Sequence, residues 1–135
     1  FHRLYAASRA IVNPRLTWFA VDPAGADAGF FFSFPDYQRA VASMHGKRHL
    51  LARLRFLMNR RHADAVNLKS LGVRAAHRRS GLASALTAQV YREMLSAGFR
   101  RANLCLFKSG NPSGRIDAGS GRLLRRYHLY RRRVA

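Results

Sequence analysis

The chain has 135 residues, which is enough for one compact domain and too few for two ordinary ones. Hydrophobic residues make up 48% of it, a fraction that excludes an intrinsically disordered chain. The formal net charge of +19 attracts polyanions, namely nucleic acid, an anionic membrane or a phosphate-rich cofactor. A GC-rich coding sequence that favours arginine would charge the surface in the same way without a function. The charge alone therefore leaves nucleic-acid binding and a basic enzyme open.

Cysteine content and hydropathy narrow the class of protein. The single cysteine, Cys105, excludes an internal disulfide and is typical of a reducing compartment. No apolar run reaches the length of a membrane span, and the first residues do not resemble a signal peptide. No group of His and Cys residues has the spacing of a metal site. We therefore expect a cytoplasmic domain without a disulfide, a membrane contact or a metal.

The first predicted elements are a helix and a hairpin. Apolar residues recur at helical spacing over residues 1–12, up to the Asn13-Pro14 dipeptide. Residues 16–21 and 28–34 are apolar runs of strand length, and residues 22–25 between them combine Pro and Gly in a turn signal. An insertion over residues 35–61 follows, which would shape an acceptor pocket or a dimer contact.

Helices and strands alternate in the rest of the chain. Residues 49–59 predict a helix with its leucines on one face, and residues 65–74 predict a strand. Residues 82–97 form the clearest helical pattern, with Gly98 as its stop. Two further strands are predicted over residues 102–107 and 126–134, on either side of a turn-rich segment. This order of elements indicates an α/β (α+β) sandwich.

One segment combines the features of an anion site. A strand ending at Val73 enters a basic turn with Arg78 and Arg79, and Gly81 stands at the start of the next helix. Free amides and the dipole of a helix N-terminus bind anions, and a glycine lets the backbone approach a phosphate closely. The pattern predicts a pyrophosphate site, with an ordinary basic helix start as the alternative. The Walker and dinucleotide-binding glycine motifs are both absent from the sequence.

Val73 followed by Arg78-x-x-Gly81-x-Ala83 resembles the acyl-CoA-binding motif Arg/Gln-x-x-Gly-x-Gly/Ala of the GNAT superfamily of N-acetyltransferases. The resemblance covers nearly the whole chain: residues 16–37 resemble the central hairpin of the family, and residues 127–131 its closing strand. The family has a further strand and helix before the helix at residues 1–12, so we expect a single, N-terminally incomplete domain over residues 1–135. The implied fold is a GNAT-like three-layer sandwich, with a mixed, mostly antiparallel central sheet flanked by helices.

The resemblance implies direct transfer of an acetyl or other acyl group from acetyl-CoA (acyl-CoA) to an amine, without a metal or a covalent intermediate. The backbone of Leu71, Gly72 and Val73 would pair with the pantetheine arm, and Asn111 would lie near it. The residues implied around the pyrophosphate are Arg78, Arg79, Ser80, Gly81, Leu82, Ala83 and Ser84.

The catalytic residues do not follow from the resemblance. Many relatives carry a tyrosine acid in the segment after the asparagine, where this chain has Asp117, and no acidic residue lies on the strand before the basic turn. Direct transfer still needs a base for the ammonium proton and an acid for the thiolate. By their chemistry, the catalytic candidates are Tyr37, Tyr127 and Asp117, with Asp36 and His128 as substitutes.

Two alternative functions stay open at this point. One is a non-catalytic nucleic-acid-binding module, although no helix-turn-helix, zinc-finger or RNA-binding aromatic signature is present. The other is a degenerate GNAT fold that binds CoA without turnover. For an enzyme, the acceptor would be a small-molecule or protein amine, and the scarcity of acidic residues disfavours a polycation such as spermine. An exposed sheet edge is compatible with a homodimer.

Overall fold

A four-stranded sheet forms the centre of the fold. The structure, a computed structural model, describes residues 12–108, 110, 111, 114, 119 and 121–130. The strands follow one another in the order β1 (Thr17–Val21), β2 (Asp27–Pro35), β3 (Ala65–Val73) and β4 (Arg101–Leu104). The first two pairs are antiparallel and the pair β3–β4 is parallel. The predicted mixed, mostly antiparallel sheet flanked by helices is confirmed.

The described residues form three α-helices, namely α1 (Gln38–Ala42), α2 (Leu50–Asn59) and α3 (Leu82–Ser96). Short 3-10 helices precede β1, follow α2 and follow β3. None of the helices in the described part of the chain is long and apolar enough to cross a membrane.

The core lies between α3 and one face of the sheet. Strand alternation turns Phe31, Val66 and Leu68 towards this face, and helical spacing places the apolar row of α3 opposite them. The buried cluster consists of Leu16, Phe31, Val66, Leu68, Leu86, Val90 and Met94. Burying one such side chain stabilises the fold by about 1.5–3 kcal/mol, so this layer fixes α3 against β3.

The other face of the sheet is aromatic and more open. Phe19 and Phe30 are register partners on it and are 69% and 40% exposed. The end of β2 and the helices α1 and α2 meet on this side, where the Tyr37 and Phe56 rings lie edge to face at 5.8 Å. Helix α2 buries Ala52, whereas its predicted leucine face is exposed.

Most predicted elements are present, with differences at the ends and in the insertion. The hairpin, the strand to Val73 and the helix from Leu82 are confirmed, and Gly98 follows α3 with a φ of +83°. The predicted strand 102–107 ends at Leu104. Helix α1 is not predicted, because five residues are too few for a periodic signal.

The strand predicted over residues 126–134 is wrong for residues 126–130, the part that the structure describes. Residues 126–130 have no regular structure and are exposed. An alternating pattern forms a strand only where a sheet edge pairs with it, and no described strand does so here. The rest of that prediction, the helix at residues 1–11 and most of the segment 112–120 lie outside the described residues.

Candidate active site

Strands β3 and β4 separate halfway along β3. Their pairing runs from Ala65↔Arg101 to Leu68↔Leu104, and the Cys105 amide then donates to the Leu68 carbonyl at 3.1 Å. A bulge at Lys69 lies at the same point, where the register of β2 changes from Ser70 to Leu68. Residues 70–73 continue to pair with β2, while no described strand pairs with the other edge of residues 69–73. This open edge can accept another extended chain.

The open edge leads directly into the turn before α3. Arg79 and Gly81 have left-handed backbones, with φ values of +65° and +82°, and Gly81 caps α3 without a side-chain hydrogen bond. No described backbone carbonyl accepts from the amides of residues 79–84. These donors and the positive end of the helix dipole face the same space. A non-glycine residue held at positive φ costs about 1–3 kcal/mol and is typical of functional turns.

The two glycines of this region serve different purposes. A Cβ added at Gly81 would meet no described atom within 4 Å, so the described part of the chain leaves the space around this Cβ open. A Cβ at Gly72 would lie 2.5 Å from Cε1 of Phe30, because the phenylalanine ring lies across the β3 backbone. Gly81 therefore leaves room for a ligand, and Gly72 makes room for the aromatic face.

Positive charge surrounds the turn. Arg78 and Arg79 are exposed and form no ion pair with any described carboxylate. A cleft of about 330 Å³ lies beside them, between the turn and the hairpin loop, and Nε2 of His77 is 3.8 Å from Oδ2 of Asp22 at its edge. Free amides, a helix N-terminus and two unpaired guanidinium groups fit a pyrophosphate.

A second cleft, of about 270 Å³, lies on the aromatic face where β3 and β4 separate. Its lining residues are Phe34, Asp36, Tyr37, Gln38, Val41, Phe56 and Asn67. We call it the apex cleft. Its walls are mainly apolar, and its polar groups converge from the ends of β2 and the middle of β3.

A hydrogen-bonded group of three side chains occupies the polar end of the apex cleft. Nδ2 of Asn103 donates to Oδ1 of Asn67 at 3.0 Å and to Oδ2 of Asp36 at 3.3 Å. Asn67 and Asn103 are register partners, one step before the last β3–β4 pair. The group therefore stands directly beside the beginning of the open edge.

Burial favours the protonated forms of two titratable groups near the apex. It raises the pKa of Tyr37, with Arg60 acting in the opposite direction, so the phenol keeps its proton at neutral pH, as an unperturbed phenol also does. Burial also raises the pKa of the Cys105 thiol, which Lys69 lowers and the Asp36 carboxylate raises further. A protonated thiol is a poor nucleophile, and the field of Asp36 reaches this position.

The structure places the predicted site residues in three environments. Leu71, Gly72 and Val73 form the open edge of β3, and Tyr37 lies in the apex cleft. Residues 78–81 form the turn, and residues 82–84 begin α3. Tyr127 is 64% exposed in the irregular segment 121–130 and lines neither cleft.

The structure describes one of the two remaining candidate residues. Asn111 follows the end of β4, where its amide donates to the Lys108 carbonyl at 2.9 Å, and Asp117 lies outside the described residues.

Asn67 and Asn103 were not predicted as site residues from the sequence. Their signal in the sequence is an asparagine within each of two apolar strands. Among the described residues, no group of three or more His, Cys, Asp or Glu side chains could hold a metal.

Comparisons with known proteins agree with this geometry. The sequence profile described as the acetyltransferase (GNAT) family matches residues 9–115. The chain therefore belongs to the GNAT family of acetyltransferases. No curated protein matches it in sequence.

Solved structures of GNAT enzymes share the fold at low identity. Aminoglycoside N-acetyltransferase AAC(6')-Iy, solved with CoA, has a TM-score of 0.57 and 20% identity, over 98% of this chain and 88% of that one. Arylalkylamine N-acetyltransferase 2 from Aedes aegypti has a TM-score of 0.54 and 16% identity, over 90% and 63%. Ribosomal-protein-alanine N-acetyltransferase from Brucella melitensis biovar Abortus 2308 has a TM-score of 0.52 and 12% identity, over 93% and 76%.

Proposed function

We propose that this protein transfers an acetyl group from acetyl-CoA to a primary amine. The observation that carries the proposal is the continuity of the open β3 edge with the anion-binding turn. Acetyl-CoA has an amide-containing arm that ends at a pyrophosphate, and the chain offers an unpaired strand edge that ends at free amides. Leu71, Gly72 and Val73 would pair with the arm as an added strand does. The amides of residues 79–84, with Arg78 and Arg79, would hold the pyrophosphate.

This placement also sets the position of the reaction. With the pyrophosphate at the turn, the arm runs back along β3, and the thioester end arrives at the apex cleft. The amine nitrogen attacks the thioester carbonyl carbon, the carbon–sulfur bond breaks, and the amine loses a proton to a base while the thiolate gains one. Tyr37 is the proposed acid, since it lines the apex cleft and its phenol is protonated at neutral pH. Tyr127 and Asp117 are the further candidates for proton transfer, and Asn111 for a contact with the arm.

Calorimetric titration of the protein with acetyl-CoA and with CoA, at low and at high salt, tests the proposal. We expect saturable one-site binding that persists at high salt, because the arm adds uncharged strand contacts to the phosphate contacts. A single-stranded oligonucleotide serves as the comparison. If binding of CoA and of the oligonucleotide falls with salt in the same steep manner, the nucleic-acid alternative is correct. If CoA binds and no amine releases the free thiol from acetyl-CoA, the protein is a CoA-binding fold without turnover.

A further inference from the structure

We infer that Asp36 binds the ammonium group of the acceptor, and that the acceptor is a small amine with one positive charge and an apolar or aromatic body. The inference rests on the proposed function and names the substrate class of the apex cleft.

Asp36 has no direct ion pair in the described part of the chain. Asp64 pairs with Arg101 at 2.7 Å, Glu93 with Arg15 at 2.9 Å, and Asp22 lies 3.8 Å from His77. Asp36 is half-buried and lines the apex cleft. Its field reaches Arg101, but the Arg101 guanidinium is bonded to both carboxylate oxygens of Asp64, at 2.7 and 2.8 Å. A substrate ammonium would therefore be the first cation in direct contact with the Asp36 carboxylate.

The Asp36 carboxylate is held in one orientation by two hydrogen bonds. Its Oδ1 accepts from the Gln38 amide at 3.0 Å, and its Oδ2 accepts from Nδ2 of Asn103 at 3.3 Å. Each carboxylate oxygen has two lone pairs, so each retains capacity for a donor on the substrate. Asn103 is itself held by Asn67, which is next to the open edge of β3. The carboxylate is thus fixed where the amine must meet the thioester.

The lining of the cleft favours an apolar body on the acceptor. Phe34, Val41 and Phe56 form apolar walls around a space of about 270 Å³, and Asp36 is the one carboxylate among its described lining residues. Additional charges on a polycation would be desolvated against these walls without a described partner. The cleft therefore favours an acceptor with a single charge over a polycation.

The experiment compares two amines and two variants by steady-state kinetics, with acetyl-CoA binding measured by calorimetry. Phenethylamine is the singly charged aromatic probe, and spermine is the polycationic one. Asp36→Asn removes the charge and keeps an oxygen for the Gln38 amide. Asp27→Asn is the matched control, because Asp27 begins β2 whereas Asp36 directly follows the end of β2, and Asp27 is exposed and has no ion-pair partner among the described residues.

We expect phenethylamine to have a kcat/KM at least about tenfold above that of spermine. Asp36→Asn should raise the KM for phenethylamine by about 10- to 100-fold, because one charged hydrogen bond to the substrate is lost. It should leave the Kd of acetyl-CoA within about twofold of that of the unaltered protein. Asp27→Asn should change neither quantity.

The failures of the two proposals are distinguishable. No binding of acetyl-CoA to the unaltered protein, or binding without release of free thiol in the presence of either amine, would overturn the proposed function itself. Acetylation of spermine in preference to phenethylamine, or acetylation of phenethylamine with an unchanged KM in Asp36→Asn, would overturn only the inference about the acceptor.

Discussion

Gly81 and Gly98 provide a matched test of the anion-binding turn, because they stand at opposite ends of α3 in the same conformation. Their φ values are +82° and +83°, and an added Cβ would meet no atom within 4 Å at either position. The helix between them has 15 residues and is about 22 Å long, so a change at one end does not touch the other. Gly81→Ala and Gly98→Ala therefore introduce the same positive-φ strain and the same methyl group, one at the turn and the other at the far end of α3.

The structure predicts equal effects of the two substitutions on stability. Alanine at positive φ costs roughly 1–2 kcal/mol, and the stiffer unfolded chain offsets about 0.4–1 kcal/mol of it. The net loss is about 1 kcal/mol in each variant, which lowers Tm by about 3–5 °C in a domain of this size. Thermal unfolding followed by circular dichroism measures this quantity.

The two substitutions should differ in CoA affinity. The alanine methyl at position 81 lies in front of the free amides of the turn, and displacing the phosphate from one charged hydrogen bond costs about 1.5–3 kcal/mol. We expect at least a tenfold rise of the Kd of CoA in Gly81→Ala, measured by calorimetry, and no change in Gly98→Ala. An equal loss of affinity in both variants would attribute the effect to α3 as a whole. An unchanged affinity in both would remove the turn from the CoA site.

Three further predictions concern the sheet and the apex. Oγ1 of Thr17 is buried without a described hydrogen-bond partner, so Thr17→Val should raise the free energy of unfolding in urea by about 1 kcal/mol, and a decrease would reveal a partner. Cys105→Ala should bind CoA and turn over like the unaltered protein, since the raised pKa of the thiol opposes nucleophilic attack; an acyl-cysteine detected by mass spectrometry would contradict this. Tyr37→Phe should lower kcat by about 100-fold and leave the Kd of acetyl-CoA unchanged. The pKa of Tyr37 is raised above the ordinary 10.0 in the folded state, so its contribution to the free energy of unfolding is complete below pH 10.0 and is lost as the pH rises further. In Tyr37→Phe, the free energy of unfolding should therefore fall less between neutral and alkaline pH than it does in the unaltered protein. Urea unfolding at several pH values measures the difference.

The sequence alone was sufficient to predict an element where its local hydrophobic pattern coincides with the face that it packs into the core. The row from Leu82 to Met94 has the period of a helix and also forms the core face of α3, so one signal predicted both. Asp36, Asn67 and Asn103 have no such periodic signal. Asn103 is 67 residues from Asp36 and 36 from Asn67 in the sequence, and it reaches both only when β4 pairs with β3. Pairing between distant strands is set by the whole fold and not by any local window.

The distribution of charge along β3 gives a physical reason why the two ends of one strand could bind acetyl-CoA and the amine in the proposed reaction. At the end next to α3, Arg78 and Arg79 have no described carboxylate partner; at the other end, Asp36 has no described cation partner. Acetyl-CoA has its negative charge at the pyrophosphate and an uncharged thioester at the far end of its arm, whereas the amine arrives positively charged. In the proposed reaction, the turn therefore attracts the phosphates of acetyl-CoA, and Asp36 attracts the ammonium group of the amine. Exchanging the sign at position 36 by Asp36→Lys should consequently repel the amine while leaving the turn, and with it the binding of CoA, intact.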